Sequence, residues 1–204
     1  MCEAPVSTYT DETANVSSAA TLGSGTSVWG LTQVREDAVI GADCVIGRGV
    51  YIGPGVRIGD RVKIQNLAQV YDPAIIESGA FIGPGVVLTN DKHPRAVRPD
   101  GQPAGAADWD SVGVTVREGA SVGARAVCVA PVAVGRWALV GAGATVVDDV
   151  PAFAMVVGTP ARRVGWVGKA GVRLVAGEDP SIWVCPVSGD RYVEKAAHLE
   201  EEQA

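Results

Sequence analysis

An aliphatic residue followed by glycine returns every six positions in one stretch of this sequence, and no other feature restricts its fold as much. The stretch VIGADCVIGRGVYIGPGVRIGD places Gly directly after Ile40, Ile46, Ile52 and Ile58. A period of six fits neither the 3.6-residue period of a helix nor the two-residue period of a plain strand. Short fixed periods are typical of solenoids, in which each repeat packs only on its neighbours.

The same register runs through two long blocks of the chain. Its apolar members are Val16, Leu22, Val28, Val34, Ile40, Ile46, Ile52, Ile58, Ile64, Val70, Ile76, Ile82 and Leu88, then Val116, Val122, Cys128, Val134, Val140 and Val146. A small or branched residue lies four places after most of them, from Ala38 onward. Two inward residues separated by one outward residue make a short β segment, and Gly-rich turn residues fill the rest of each hexad. Three segments would close an 18-residue triangular coil, and we expect about six coils around an aliphatic axis.

The register stops between Leu88 and Val116, where the chain reads TNDKHPRAVRPDGQPAGAADWDSVGVT. A loop of this length without its own structure is usually functional or disordered. The sequence therefore predicts an N-terminal segment at 1–15, a β-helix domain at 16–150 with an inserted loop at 89–115, and a C-terminal extension at 151–204.

Composition excludes several classes of partner. The net charge of −6 disfavours nucleic acid, which binds basic surfaces. No apolar run approaches the ~18 residues of a membrane span, and the polar N-terminus predicts no signal peptide. The four cysteines, Cys2, Cys44, Cys128 and Cys185, show no CxxC spacing. We therefore expect neither disulfides nor zinc, and a cytoplasmic location.

The hexads resemble those of the hexapeptide-repeat acyltransferases. This resemblance implies an all-β fold, a left-handed parallel β-helix of hexapeptide repeats with one long inserted loop and a short C-terminal extension. The left hand comes from the resemblance alone, because the usual crossover rule gives a right hand.

A narrower resemblance rests on KIQNLAQVYDPAIIESGAFIGPGVVLTNDKHPR, VREGASVGARA, VVGTPARRVGWV and CPVSGDRY. These segments are similar to N-acetyltransferases of nucleotide-linked 3-amino sugars, which act on UDP-2-acetamido-3-amino-2,3-dideoxyglucuronate or dTDP-3-amino-3,6-dideoxyhexoses. The resemblance implies acetyl-CoA as co-substrate, no metal, and a homotrimer in which the inserted loop extends over a neighbour. The segment VWGLTQV, from Val28 to Val34, departs from the IWHFSHI of related enzymes. Whether the nucleotide is UDP or dTDP stays open.

The candidate catalytic residues lie in and before the insert. Asn66 and Asn90 would position the amine by hydrogen bonds, Asp91 would accept its proton, and His93 would act as a base near neutral pH. Asn66 has an alternative role as a corner residue, and His93 has one as a solvated loop residue. The pair His93-Pro94 also resembles a motif of sugar O-acetyltransferases, in which the histidine is the base. O-acetylation is therefore the alternative function.

The candidate binding residues are more dispersed. Arg95 and Arg98 suit a diphosphate or a sugar carboxylate, Lys63 a phosphate, and Trp109 either stacking on the base or packing. The resemblance places the pantetheine arm of CoA along the last coils, where Gly141, Ala142 and Gly143 expose turn amides. Arg162 and Arg163 would contact CoA phosphates or cap the solenoid. We expect Cys185 to be packed, and His198 to be inert in a charged, helical end.

Other functions of the same fold fit less well. A γ-class carbonic anhydrase needs three histidines for zinc, and this chain has two. A nucleotidyltransferase would need an additional domain. A non-catalytic scaffold gives no reason for the insert. The sequence thus predicts an acetyl-CoA-dependent sugar N-acetyltransferase.

Overall fold

The computed structural model describes residues 7–105, 108–196 and 198–202. Cys2, which entered the cysteine count, lies outside these ranges. The described residues form short strands and turns without any α-helix. None of them forms a helix able to cross a membrane.

Three parallel sheets form the sides of a triangular column. The first sheet contains β1 (Tyr9–Thr10), β4 (Ser27–Val28), β7 (Val45–Ile46), β10 (Lys63–Ile64), β13 (Phe81–Ile82), β16 (Ser121–Val122), β19 (Leu139–Val140) and β21 (Ala154–Val157). The second contains β2 (Asn15–Val16), β5 (Gln33–Val34), β8 (Tyr51–Ile52), β11 (Gln69–Val70), β14 (Val87–Leu88), β17 (Val127–Cys128) and β20 (Thr145–Val146). The third contains β3 (Thr21–Leu22), β6 (Val39–Ile40), β9 (Arg57–Ile58), β12 (Ile75–Ile76), β15 (Val114–Val116) and β18 (Val132–Val134).

Each strand pairs with the strand 18 residues away, as the hexad register predicts. Val70, for example, lies between Ile52 and Leu88 in the second sheet. Across the insert the spacing widens, and Leu88 pairs with Cys128 without a change of register. The predicted solenoid is confirmed, and the stacked parallel coils are consistent with a left-handed β-helix. The first sheet has eight parallel strands, so the chain makes more coils than the six expected, because β1 and β21 extend it beyond the apolar register.

The core is the column axis, and the predicted inward positions fill it. Every apolar register member from Val28 to Val146 is buried, whereas Val16 and Leu22 in the first coils are only partly buried. Two inward corner positions are polar, Thr26 and Thr32. Their hydroxyls donate to the carbonyls of Gly41 and Gly47 at 2.7 Å, which compensates for their burial.

The C-terminal extension covers the last coil. β21 forms an antiparallel hairpin with β22 (Arg162–Trp166). A separate antiparallel sheet follows, with β23 (Val175–Ala176), β24 (Ile182–Val184), β25 (Arg191–Lys195) and β26 (His198–Glu201). The buried aromatic rings of Phe153 and Tyr192 meet edge to face at 5.2 Å.

One prediction for this extension is wrong and another is confirmed. His198 was expected in a helical end, but it lies in β26, where it pairs with Lys195. The charged residues of this end alternate along a strand that β25 holds in a sheet, so tertiary pairing overrides their helix propensity. Cys185 is buried, as expected of a packed cysteine.

Candidate functional site

The insert leaves and rejoins the solenoid at one corner, between the second and third sheets. The Thr89 hydroxyl oxygen accepts the amide of Ala130 at 2.9 Å, which ties the departing chain to the next coil. The Val112 amide donates to the carbonyl of Asn90 at 3.2 Å, which joins the two arms of the insert. The insert is therefore anchored to a rigid corner at both ends.

Within the insert, a small hairpin gives the loop its shape. The amide of Arg98 donates to the carbonyl of Gln102 at 2.8 Å, and that of Ala104 donates to Ala96 at 3.0 Å. The hairpin and the anchored arms enclose a cavity of about 680 Å³. Its lining consists of Asn90, Asp91, His93, Arg95, Val97, Arg98, Pro99, Ala104, Gly105, Asp108 and Trp109.

The cavity brings together six of the eight residues that the sequence predicts for catalysis and substrate binding. The two others lie elsewhere on this chain. Lys63 points outward from β10 in the first sheet. Asn66 lies at the corner between the first and second sheets, away from the insert.

Asn66 has a structural role at its corner. Its side-chain oxygen accepts the backbone amide of Arg48 at 2.9 Å, one coil below. The positive φ of this corner belongs to the next residue, Leu67, at 64°. The geometry therefore favours the corner role of Asn66, through a hydrogen bond and not through tolerance of positive φ.

The charges in the cavity are only partly balanced. The Arg98 guanidinium lies 3.8 Å from Asp108 and 3.6 Å from Asp100. Arg95 donates to the carbonyl of Pro94 at 2.8 Å and makes no ion pair within the described residues. Arg95 is thus the arginine of this cavity best able to receive an anionic group.

Two further residues shape the cavity. An oxygen of Asp91 accepts the backbone amide of His93 at 2.8 Å, which fixes the turn between them. Trp109, 38% exposed, forms a wall shared with a smaller adjacent cavity. The exposed indole face is compatible with stacking, and the backbone of Asp91 and His93 is held beside it.

The predicted CoA-binding residues lie at the far end of the column. Gly141, Ala142 and Gly143 form the corner between β19 and β20, on the same edge as Asn66. The amides of Gly141 and Gly143 are used inside the coils, donating to Val156 and Ala124 at 2.8 Å. They are therefore unavailable to a ligand.

The amide of Ala142 makes no hydrogen bond among the described residues, and neither does that of Ala124 one coil below. At other corners such amides are capped by a side chain 18 residues later. For Ala124 that residue is Ala142, and for Ala142 it is Pro160, and neither side chain carries an acceptor. Sequence reasoning missed Ala124, although the lack of an Asp, Asn or Ser 18 residues later was a readable signal.

The two arginines differ in their surroundings. Arg163 lies over the Trp166 ring at 4.1 Å and 3.4 Å from Glu194, so it fixes the C-terminal extension. Burial acts to raise the pKa of Glu194, but hydrogen bonds, including one from Trp183 Nε1 at 2.8 Å, and the charge of Arg163 hold it below its ordinary value. Arg162 is exposed and lies 3.6 Å from the exposed Asp148. Only Arg162 is free to meet a ligand.

No group of three His, Cys, Asp or Glu residues in the described part of the chain has the arrangement of a metal site. The chemistry available in the cavity is thus that of hydrogen bonds, two arginines and one imidazole.

Comparison with known proteins places these features in a family context. The model "Bacterial transferase hexapeptide (six repeats)" matches residues 55–90, and "Hexapeptide repeat of succinyl-transferase" matches 37–66 and 113–147. Both matches stop at the insert. A dTDP-3-amino-3,6-dideoxy-alpha-D-galactopyranose 3-N-acetyltransferase from Aneurinibacillus thermoaerophilus is 39% identical over 77 residues. The match covers 38% of this chain and 38% of that enzyme, so it spans less than half of either.

Solved structures share the fold. The acetyltransferase domain of PglB from Neisseria gonorrhoeae FA1090, in complex with acetyl coenzyme A, matches with a TM-score of 0.51 at 21% identity, over 78% of this chain and 58% of that one. LpxA, a UDP-N-acetylglucosamine acyltransferase from Bacteroides fragilis 9343, matches with a TM-score of 0.63 at 15% identity, over 78% and 61%. At these identities the likeness concerns the fold alone.

Proposed function

We propose that this chain, a member of the hexapeptide-repeat transferase family, transfers an acetyl group from acetyl-CoA to the amino group of a nucleotide-linked 3-amino sugar. The observation that carries the proposal is the cavity of the insert, where Asn90, Asp91 and His93 meet Arg95 and Trp109. The curated relative, which acetylates the 3-amino group of a dTDP-sugar, supports the choice of substrate class.

The reaction asks little general-base catalysis of the protein. A neutral amine attacks a thioester readily, so the main task is to align the two and stabilise the developing oxyanion. Asn90 would hydrogen-bond the amine. Arg95, lacking a carboxylate partner in the described residues, would receive an anionic group of the substrate, a phosphate or a carboxylate.

Acetyl-CoA is proposed to lie along the other edge of the column. The free amides of Ala124 and Ala142 lie one coil apart there and can donate to carbonyls of an extended pantetheine arm. Arg162 would meet a CoA phosphate. Glycine at 141 and 143 keeps this edge without side chains, which suits the close approach of a ligand.

The two half-sites lie on different corners of one chain, which argues for an assembly. In a homotrimer with the three columns side by side, the insert corner of one copy would face the Ala142 edge of the next. Outward Ile75 and Phe81, which are 44% and 37% exposed, would then be covered. We therefore propose a homotrimer with its active sites between subunits.

His93 is less suited to be the base of an O-acetyltransferase. A catalytic imidazole is normally oriented by a second hydrogen-bonding group, and none of the described side chains hydrogen-bonds that of His93. The three described cysteines, Cys44, Cys128 and Cys185, are free thiols, which supports the proposed cytoplasmic location.

The test is the release of CoA from acetyl-CoA in the presence of UDP- and dTDP-linked 3-amino sugars, each compared with the matching 3-hydroxy sugar. Transfer to at least one amine and to none of the hydroxyl compounds is expected. Preferential transfer to the hydroxyl compounds would contradict the proposal and favour the O-acetyl alternative.

A further inference from the structure

The corners of the coils share a capping device. At two corners, the side-chain oxygen of one residue accepts the backbone amide of the residue 18 positions earlier. Asp60 caps Ala42 at 2.8 Å, and Asn66 caps Arg48 at 2.9 Å. Ser78 caps Asp60 in the same way at 3.0 Å. The middle residue of a corner thus uses its polar side chain to satisfy the coil below.

Asp72 occupies the equivalent position at the third corner, between the second and third sheets, but it has nothing to cap. The residue 18 positions earlier is Pro54, which has no N–H. The carboxylate still points toward that corner, since a Cβ placed on Gly53 would lie 3.0 Å from Asp72 Oδ1. Among the described residues it makes no hydrogen bond or ion pair, and it is half-buried.

The surroundings of Asp72 connect it to the candidate site. One coil further along the same corner is Asn90, about 4.8 Å away along the axis. The returning arm of the insert packs beside it, because a Cβ on Gly113 would lie only 2.8 Å from the Pro73 carbonyl oxygen. The nearest cation at this corner, Arg35, is already bound to Glu36 through two bonds of 2.8 and 2.7 Å. The Asp72 carboxylate therefore keeps its charge uncompensated at the foot of the insert.

We infer that Asp72 binds the amino group of the substrate, and that it makes the site prefer an amine to a hydroxyl. This inference rests on the proposed function. A sugar ammonium group offers three N–H donors and a positive charge, and a carboxylate accepts from such a donor in a strong, charge-assisted hydrogen bond. A hydroxyl group offers one donor and no charge. Asp72 is a positioning residue that acts with the Asn90 amide one coil above.

The reaction balances as follows. The ammonium group held by Asp72 releases one proton to solvent and becomes the neutral nucleophile. Its nitrogen forms a bond to the thioester carbonyl carbon, and the carbon–sulfur bond breaks. The second nitrogen proton passes to the departing thiolate. The products are the amide, CoA as its thiol, and the one proton already released.

Asp72→Asn tests the inference, with Asp60→Asn as the matched control. Both substitutions remove a charge at the same corner position, and Asn66 shows that an amide oxygen can still cap a corner. We expect Asp72→Asn to raise the KM for the amino sugar by about 10- to 100-fold, since one to three kcal/mol is typical of a hydrogen bond to a charged group. The KM for acetyl-CoA and the melting temperature should stay unchanged. Asp60→Asn should leave all three unchanged.

Pro54→Ala gives a second, independent test. Alanine occupies the same position at other corners, as Ala42 and Ala142, so the backbone there accepts it. The new N–H would offer Asp72 a cap that competes with the substrate. We expect a rise in the KM for the amine smaller than that of Asp72→Asn, although position 54 itself touches no substrate.

Calorimetric titration with an amino sugar nucleotide and with its hydroxyl counterpart separates the outcomes. Wild type should bind the amine more tightly, and Asp72→Asn should bind both alike. An Asp72→Asn variant that retains the wild-type KM and preference would overturn the role of Asp72 while the proposed function stands. A loss of melting temperature without a change in KM would identify Asp72 as a structural residue and also overturn it. If wild type acetylates none of the amines, both the inference and the proposed function fail.

Discussion

Replacement of a single axial residue tests the six-residue register most directly. Ile58 is 4% exposed and lies between Ile40 and Ile76 in the third sheet, whereas its strand neighbour Arg57 points outward and is exposed. Ile58→Asp and Arg57→Asp introduce the same side chain one residue apart. The two variants differ only in which side of the sheet receives the carboxylate.

The expected magnitudes differ widely. Ile58→Asp forfeits about 2–3 kcal/mol of apolar burial and adds about 2–7 kcal/mol for a polar group without a partner. Their sum is comparable with the whole stability of a domain, about 5–15 kcal/mol. Arg57→Asp should change stability by less than about 0.5–1 kcal/mol, as is usual for exposed positions.

Thermal melting followed by circular dichroism, together with the soluble yield, measures both effects. We expect Ile58→Asp to be unfolded or insoluble and Arg57→Asp to melt close to wild type. Equal behaviour of the two variants, whether both fold or both fail, would refute the assignment of inward and outward positions.

Four further outcomes are expected. Asn90→Ala should lower kcat by tenfold or more, and His93→Ala by far less than the ~10²–10⁴-fold typical of a lost general base; steady-state kinetics with the amino sugar will show the order. Burial raises the pKa of Cys128 to about 12 from an unperturbed 9.0, so its contribution to stability is complete below pH 9 and falls by up to about 1.4 kcal/mol per pH unit above it; denaturant titrations at pH 8 and 10 should show a smaller loss for Cys128→Val. Arg162→Ala should raise the KM for acetyl-CoA with little effect on melting, whereas Arg163→Ala, which loses its contacts with a tryptophan and a glutamate, should lower the melting temperature and leave that KM unchanged. Light scattering should give three times the chain mass of 20.9 kDa, and a monomer at micromolar concentration would contradict the proposed trimer.

The fold could be predicted from the sequence because each coil repeats the same physical requirement. An inward aliphatic residue is needed every six positions, so the register appears directly in the letters. The C-terminal sheet could not be predicted in this way. Its strands are held by pairing between residues far apart in sequence, such as Ala176 with Trp183, and charge patterns near His198 suggested a helix instead.

The candidate site could be predicted in part. Asn90, Asp91 and His93 lie in a break of the register, and a break marks the chain that is not needed for the core. The separation of Asn66 from this cavity could not be foreseen, because corner hydrogen bonds depend on which residue lies one coil below. The same dependence hid the free amide of Ala124 and the uncapped carboxylate of Asp72.

The way the insert joins the solenoid also bears on how such proteins diversify. Val70 to Leu88 and Leu88 to Cys128 are both single steps along one sheet, although the second contains 22 more residues than the first. The cost of closing a longer loop grows only by about 0.6 kcal/mol per doubling of its length. One residue added inside a strand, by contrast, would turn every later aliphatic side chain away from the axis. Evolution can therefore exchange whole recognition loops at a corner, and acquire new substrates, while the load-carrying column is inherited unchanged.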